Sequence, residues 1–395
     1  MVINKKSPHG GDIYERPGVL DFSANINPYG PPEKVREAMR DSIERANDYP
    51  DPYCRKLREK TALSKGVPED LVLFGNGAAE LIYQFAYALP KGKAALIVSP
   101  TFCEYEAALR AAGVYARHFL LPSGNGFVPD EMWIGELVKR ISKSRSAEET
   151  VSKDGITQKR LDKNGITGEN IVQRGVPENV IPEGEIGAVF LCSPNNPTGI
   201  MLPPESLKRI ADTGVRVFCD LSFMDFSDKK EFYDIPALIK AYSNLVFLFS
   251  FTKSFAIPGI RLGYAVCSDR DFLERMSEKA QCWNVSVIAQ AAGIAALDCG
   301  EWLEESVEKI KAEREYLFME LGDCGLKIYE SCANFLLLYS EKNLVRALAE
   351  KGIQVRDCSD YAGLSEGFFR TAVRKREENE RLIRAVREIL AEGAV

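Results

Sequence analysis

Short apolar runs alternate with longer amphipathic segments through the first two thirds of the chain, and this alternation restricts the possible folds most strongly. The apolar runs have strand length, and they are Ala94–Ser99, Ala188–Cys192, Val215–Asp220, Leu245–Ser250 and Leu262–Cys267. Continuous apolar runs are typical of strands that are buried on both faces of a sheet. Because helical patterns separate these runs, the sequence predicts an open α/β sheet flanked by helices.

The last quarter of the chain has a different pattern. A long charged amphipathic stretch at Glu301–Leu321 is followed by short strand-like runs and by a last helical pattern near Glu377–Leu390. This pattern predicts a second, smaller α+β unit, which agrees with a length of 395 residues. We expect an N-terminal arm that joins the small unit (1–45), a large domain (46–285) and a small C-terminal domain (286–395).

A polar segment at 142–180 interrupts the large domain. It contains no aromatic residue, and the pattern at 153–157 repeats at 163–167. One interpretation is a lid or an interaction insert, and the other is a solvated surface insertion without a specific role.

Charge and composition exclude several classes of function. The formal net charge is −6, from 51 basic and 57 acidic residues, and the sequence contains no basic block. A nucleic acid or an anionic membrane is therefore not expected as the main partner. No apolar stretch has the length of a membrane span or of a signal peptide. The ten cysteines form no C-x-x-C pair, which predicts a reducing cytoplasm. With only two histidines, we expect no metal site and no Ser-His-Asp triad.

Chemically useful residues follow the predicted strands. The peptide Ser193–Gly199 follows one strand, Asp220 ends the next, Lys253 follows the third, and Arg261 comes eight residues after the lysine. Ligands of open α/β sheets bind beyond the carboxyl ends of the strands. We therefore expect an amide, an acid, a lysine and an arginine to meet at one sheet edge.

This set of groups suits pyridoxal 5′-phosphate (PLP). A lysine amine forms a Schiff base with the aldehyde, and a carboxylate pairs with the pyridine nitrogen. An amide suits the ring hydroxyl, and an arginine suits the phosphate. Gly75-Asn76-Gly77, at the start of a helical run, can present backbone N–H groups to a phosphate. The alternative for this turn, a dinucleotide-binding fingerprint, lacks its third glycine.

The chain resembles the fold-type I PLP-dependent aminotransferases over nearly its whole length. Within that superfamily it is most similar to the threonine-phosphate decarboxylases of cobalamin biosynthesis, which are relatives of the histidinol-phosphate aminotransferases. The peptides that carry the resemblance are His9-Gly10-Gly11, Leu20–Pro28, Ser250–Gly259, Phe369–Arg374 and Glu378–Leu382. The resemblance implies a mixed, mostly parallel sheet in a PLP-binding large domain, and it implies a homodimer with shared active sites.

The resemblance assigns roles to individual residues. Lys253 would carry the cofactor and move protons, Asp220 would pair with the pyridine nitrogen, and Asn196 would bind the ring hydroxyl. Phe102 would stack on the ring, and the phosphate would be held by Ala78, Ala79, Ser250, Thr252 and Arg261. Tyr49 would reach the cofactor phosphate of the partner subunit. The expected substrate contacts are Arg370, Arg374, His9, Asn27 and Asn334.

Two departures from the family pattern follow Asp220. Leu221 replaces a small or acidic residue, and Phe223 replaces the tyrosine with which histidinol-phosphate aminotransferases reach the ring hydroxyl. The second change fits the decarboxylases better. Arg370 and Arg374 lie an even number of residues apart on a predicted strand, so they are expected to point the same way and to grip a carboxylate and a phosphate.

The resulting hypothesis is decarboxylation of L-threonine O-3-phosphate to 1-amino-2-propanol O-2-phosphate, in the cytoplasm. The alternatives are a transaminase of histidinol phosphate that uses 2-oxoglutarate, and a decarboxylase of O-phosphoserine, which lacks only one methyl group. A PLP-binding transcription regulator is disfavoured because the family-like peptides begin at His9, which leaves no room for a preceding DNA-binding domain.

Overall fold

The computed structural model describes residues 9–154, 185–229 and 232–392. In chain order, the strands are β1 (Leu20–Asp21), β2 (Val72–Asn76), β3 (Ala94–Ser99), β4 (Tyr115–Leu120), β5 (Ile186–Cys192), β6 (Arg216–Asp220), β7 (Leu245–Ser250), β8 (Leu262–Val266), β9 (Lys327–Ile328), β10 (Phe335–Tyr339), β11 (Ile353–Gln354), β12 (Arg356–Asp357) and β13 (Phe368–Ala372).

The α-helices are α1 (Glu33–Ser42), α2 (Arg55–Lys65), α3 (Gly77–Ala88), α4 (Glu104–Ala111), α5 (Glu131–Asp154), α6 (Pro204–Ala211), α7 (Ile235–Ala241), α8 (Phe251–Ser254), α9 (Arg270–Ser277), α10 (Val287–Ala296), α11 (Gly300–Gly322), α12 (Leu344–Glu350) and α13 (Arg376–Ala391). Short 3-10 turns lie at Ile43–Arg45, Glu69–Leu71, Ser123–Asn125, Met224–Phe226 and Pro258–Ile260.

Seven strands form the large sheet, in the order β2-β8-β7-β6-β5-β3-β4. Neighbouring strands are parallel except at β8, which is antiparallel to both β2 and β7. The prediction of a mixed, mostly parallel α/β sheet is therefore confirmed. The five apolar runs match strands to within two residues at each end.

Apolar side chains on both faces of the sheet explain why these segments form buried strands. All six residues of β7 are buried, and alternate residues enter different clusters. Leu245 and Phe247 pack into one core, whereas Val246 and Leu248 pack into the core on the other face. Helices on both faces cover the sheet, as the continuous apolar runs predict.

The C-terminal part forms a separate antiparallel sheet, in the order β12-β13-β10-β9. This sheet, α11 and α13 share a third apolar core. The N-terminal segment joins this part of the molecule, because β1 pairs in parallel with β11. The predicted boundaries after residues 45 and 285 stay predictions.

The polar segment at 142–180 falls largely outside the described residues. Helix α5 continues to Asp154, so the beginning of that segment is helical, and 155–184 are not described. Among the residues that are described, no helix combines the length and the apolar character needed to cross a bilayer.

Candidate active site

A cavity of about 410 Å³ opens at the edge of the large sheet where β5, β6 and β7 end. Eleven of the residues predicted from the sequence line it, namely His9, Ala78, Ala79, Phe102, Asn196, Asp220, Ser250, Thr252, Lys253, Arg261 and Arg370. A second cavity of about 540 Å³ adjoins the first, and His9, Gly10, Ser23 and Arg356 line both.

Lys253 lies on α8, which begins directly after the buried strand β7. The Ser250 side chain caps this short helix by accepting a hydrogen bond from the Thr252 N–H group, so the lysine has a fixed position relative to the sheet. Burial lowers the pKa of Lys253 to about 8, and the positive charges of Arg370 and Arg261 add to this effect against the opposing charge of Asp220. A lowered pKa favours the neutral amine, which is the form that attacks a carbonyl.

Asp220 ends β6 and is almost fully buried. The Tyr105 hydroxyl donates to Asp220 Oδ2 at 2.7 Å, and the Ser222 N–H group donates to Oδ1 at 2.8 Å. Burial raises the pKa of this carboxyl, whereas the hydrogen bonds from Ser222 and Tyr105 lower it. A cationic ring nitrogen in the cavity would stabilise the ionised form, so this carboxyl suits the pyridine nitrogen of PLP.

A phosphate cradle lies at the start of α3. Gly77 has φ +80°, and Ala78 and Ala79 follow it in the first turn, where backbone N–H groups have no partner within the helix. A Cβ on Gly77 would lie 2.6 Å from Arg261 Nη2, so only glycine leaves room for this guanidinium beside the helix start. These features fit the phosphate of PLP.

The reversed direction of β8 explains why Arg261 belongs to this cradle. Arg261 immediately precedes β8, and Ser250 at the end of β7 lies opposite Gly263. In an antiparallel pair, the beginning of one strand lies beside the end of its neighbour. Arg261 therefore reaches the edge at which the parallel strands end, and Ser250 and Thr252 add hydroxyl groups that lie 2.7 Å apart.

Asn196 and Arg370 meet on the opposite side of the cavity. Arg370 Nη1 donates to Asn196 Oδ1, and Nη2 donates to the Ser23 carbonyl at 2.7 Å. Arg370 Nε is buried and has no hydrogen-bond partner among the described residues. The Asn196 amide nitrogen can donate to a ring hydroxyl, and Arg370 can bind an anion through Nε.

Phe102 lies between two other rings at the cavity wall. Its centroid is 5.6 Å from that of His9 and 5.8 Å from that of Tyr105, with the Tyr105 ring nearly perpendicular. Phe102 lines the cavity together with Lys253 and Asp220. This position suits stacking on a planar cofactor ring.

Four predicted residues do not line the cavity. Asn27 is buried and donates to the Ser254 carbonyl at 3.0 Å and to Ser306 Oγ at 2.8 Å, so it joins two parts of the fold. Asn334 is fully buried with no side-chain hydrogen-bond partner among the described residues. Tyr49 is 77% exposed and stacks on Trp283.

Arg374 is the fourth, and the expectation that it points the same way as Arg370 is wrong. Strand β13 ends at Ala372, so the alternation of side chains does not continue to Arg374. The Arg374 guanidinium instead donates to Glu378 Oε1 at 2.6 Å, at the start of α13.

Several cavity residues escaped the sequence reasoning, and Asn25, Arg356 and Tyr361 are three of them. Asn25 is 3% exposed, and neither amide atom has a hydrogen-bond partner among the described residues. Arg356 lies directly opposite Arg370 in the β12–β13 pair, and Tyr361 packs beneath its guanidinium. Asn25 belongs to a peptide that the sequence did single out, but Arg356 becomes visible only through the strand register.

Comparison with known proteins adds to this geometry. The family model for aminotransferase class I and II matches residues 17–386. Threonine-phosphate decarboxylase of Salmonella typhimurium is 32% identical over 400 residues, which cover 97% of this chain and 97% of that protein. Histidinol-phosphate aminotransferase of Methanosphaera stadtmanae is 29% identical over 385 residues, which cover 94% of this chain and 90% of that protein.

A solved structure shows the same fold. The crystal structure of histidinol-phosphate aminotransferase from Sinorhizobium meliloti, in complex with pyridoxal-5′-phosphate, has a TM-score of 0.72 and 19% identity. The similarity covers 94% of this chain and 91% of that one.

Proposed function

Because this chain belongs to the aminotransferase class I and II family and is an enzyme with PLP as its cofactor, we propose that it decarboxylates L-threonine O-3-phosphate. The products are 1-amino-2-propanol O-2-phosphate and CO2. The observation that carries the proposal is the pairing of Arg356 with Arg370 at the cavity that Lys253 lines. Two guanidinium groups match a substrate with both a carboxylate and a phosphate.

Some of the cavity residues are assigned to binding of the cofactor and others to binding of the substrate. When bound, PLP withdraws electrons from whichever Cα bond of the substrate stands perpendicular to its ring. Asp220, fixed by Tyr105 and Ser222, would pair with the ring nitrogen, and the start of α3 with Arg261 would hold the cofactor phosphate. Lys253 would hold the cofactor through its aldehyde, and its amine, when free, would supply the proton that replaces the carboxylate at Cα.

Orientation of the substrate decides which bond reacts. Arg356 and His9 lie where the two cavities meet, so they hold the substrate phosphate there. Arg370 and Asn25 would contact the remaining polar groups of the substrate and orient its carboxylate for release as CO2. The buried, unpartnered amide of Asn25 supports this role, since such a group is costly unless a ligand satisfies it.

One observation favours decarboxylation over transamination. Phe223 lines the cavity and packs edge-on against Phe335 with ring centroids 5.0 Å apart, so no hydroxyl is present where histidinol-phosphate aminotransferases have a tyrosine. Transamination of histidinol phosphate is the second candidate, because a similar relative carries that name.

One assay separates the two reactions. The purified holoenzyme is incubated with L-threonine O-3-phosphate, O-phosphoserine or histidinol phosphate, each with and without 2-oxoglutarate, and CO2 and glutamate are measured. We expect CO2 from threonine phosphate without a need for 2-oxoglutarate, and less from O-phosphoserine. Glutamate formation without CO2 release would contradict the decarboxylase and support the aminotransferase. Lys253→Ala serves as the inactive control.

We also propose that two copies of the chain form a homodimer in which Tyr49 reaches the partner's cofactor. Tyr49 and Trp283 stack with centroids 4.4 Å apart, and both are largely exposed, as Ile43 and Tyr53 are. Exposed aromatic groups of this kind are typical of protein interfaces. All ten cysteines are free, which supports the proposed cytoplasmic location.

A further inference from the structure

The carboxylate of Glu104, which has no proposed role in cofactor binding, lies beside the His9 imidazole at the cavity. Glu104 begins α4, and its Oε1 lies 2.8 Å from His9 Nε2. Its other oxygen accepts a hydrogen bond from the Tyr83 hydroxyl of α3 at 3.1 Å. Both carboxylate oxygens are therefore engaged, and Glu104 has one fixed orientation between a helix of the large sheet and the N-terminal segment.

The segment that carries His9 is itself held in place. A Cβ on Gly10 would lie 2.1 Å from the Ser23 carbonyl oxygen, so only glycine permits this close approach. The Gly11 N–H group donates to Ser23 Oγ at 2.8 Å, and the same Ser23 carbonyl accepts a hydrogen bond from Arg370. Ser23 therefore contacts both Arg370 and the segment that carries His9.

The charges around His9 favour its protonated form. The pKa of His9 is raised to about 9 by its contacts with Cys103 and Glu104, against the opposing effect of burial. The hydrogen bond to His9 in turn lowers the pKa of Glu104. The other charged residues that line the outer cavity are Asp12, Glu15, Arg16, Arg346, Arg356 and Asp357, and of these Arg356 also lines the inner cavity.

We propose that Glu104, held by Tyr83, is a positioning residue that keeps His9 as an imidazolium cation at the junction of the two cavities, where it faces the substrate phosphate. Glu104 acts through His9 and does not touch the reacting atoms. The identity of the anion rests on the proposed function. The charge on His9 does not depend on the proposed function, because it follows from the contacts that His9 makes with Glu104 and Cys103.

Two measurements test this proposal on the holoenzyme. The chain has only two histidines, so imidazole ¹³C-labelling gives two NMR signals, of which His118 provides the internal reference in every variant that leaves Glu106 unchanged. The variants are Glu104→Gln, Glu104→Asp and Tyr83→Phe. Glu106→Gln is the matched control, since Glu106 lies on the same helix and faces His118 at 3.5 Å, away from the cavity.

We expect Glu104→Gln to lower the His9 titration midpoint by about two units, towards the ordinary value for histidine. At pH 8 the KM for threonine phosphate should rise about tenfold while kcat changes by less than about twofold, because a cation is lost from binding only. Glu104→Asp should restore part of both effects, and Tyr83→Phe should give a smaller change. Glu106→Gln should leave KM and the His9 signal as in the wild type.

Inorganic phosphate separates this proposal from the proposed reaction. Added phosphate should shift the His9 signal in the wild type and in Glu106→Gln, and it should bind more weakly in Glu104→Gln, whether or not CO2 is produced. An unchanged His9 midpoint in Glu104→Gln would overturn the proposal. A lowered midpoint in Glu104→Gln with wild-type KM and wild-type phosphate binding would also overturn it. A loss of kcat in this variant at unchanged KM would do so as well.

Discussion

Asn25 and Asn27 lie two residues apart and have opposite environments. Asn27 donates two hydrogen bonds, and its Oδ1 accepts a third from the Tyr29 N–H group at 3.1 Å. Asn25 is equally buried, lines the cavity and has no hydrogen-bond partner for its amide among the described residues. One asparagine therefore stabilises the fold, and the other is available to a ligand.

Alanine substitutions should separate these two roles. Asn27→Ala removes satisfied buried hydrogen bonds, so we expect the free energy of unfolding to fall by about 1–3 kcal/mol. Asn25→Ala should change stability by less than about 1 kcal/mol but raise the KM for the phosphorylated substrate about tenfold or more. Denaturant unfolding and steady-state kinetics on both variants provide the measurement. Equal losses of stability in the two variants would argue against a ligand role for Asn25.

All of the residues predicted to bind the cofactor except Tyr49 line the cavity, whereas only two of the five predicted substrate contacts, His9 and Arg370, do so. Lys253, Asp220 and Arg261 follow or precede strands, so a correct strand pattern places them at one edge. Substrate contacts depend on details that the pattern does not contain. Asn25 and Asn27 occur in the same peptide, and only tertiary contacts show which one is satisfied. Arg374 follows Arg370 at an even interval, but the strand ends before it.

At the scale of elements, the apolar runs predicted the strands well but not their directions. A continuous apolar run looks the same whether the strand is parallel or antiparallel, because burial on both faces produces the pattern. The reversal of β8 is therefore a result of the structure alone. The same reversal brings Arg261 beside α3, where Gly77 accommodates it.

Replacement of Gly77 tests the cradle at the start of α3. Gly77→Ala should weaken PLP binding by about tenfold or more, since the added Cβ would displace Arg261. Equilibrium dialysis or absorbance titration of the apoenzyme with PLP measures the affinity.

Gly92→Ala is the control for backbone strain. Gly92 also has a positive φ, of +84°, but among the described residues no atom other than those of Gly92 and its chain neighbours lies within 4 Å of the position of its Cβ. Both variants should lose about 1 kcal/mol of stability from strain, whereas only Gly77→Ala should lose cofactor affinity. Wild-type affinity in Gly77→Ala would contradict the cradle.

At the scale of the whole molecule, the proposed sharing of active sites predicts complementation between two defective chains. Tyr49→Ala and Lys253→Ala should each have little or no activity alone. In a mixed dimer, one site combines Lys253 of the first chain with Tyr49 of the second, and that site is complete. The purified mixed dimer, with one complete site of its two, should have about half of wild-type activity, and a randomly paired mixture about a quarter.

Co-expression of the two chains with different affinity tags, followed by tandem purification, isolates the mixed dimer for the assay. The purified Tyr49→Ala chain should also sediment as a dimer, so that its defect is not a failure to assemble. Mixed dimers with no more activity than the separate variants would show that Tyr49 does not serve the partner's site.

The pairing of β1 with β11 has a consequence for how such an enzyme can change over evolutionary time. Main-chain hydrogen bonds from Leu20 to Gly352 and from Phe22 to Gln354 attach the N-terminal segment to the C-terminal sheet, and Ala372 donates to Phe22 at 2.8 Å. The residues proposed to choose the substrate thus belong to one framework, while those proposed to hold PLP belong to the large sheet. Mutations can accumulate in the first without loss of the second, so new substrates can be acquired by descendants that keep an ancestral cofactor site.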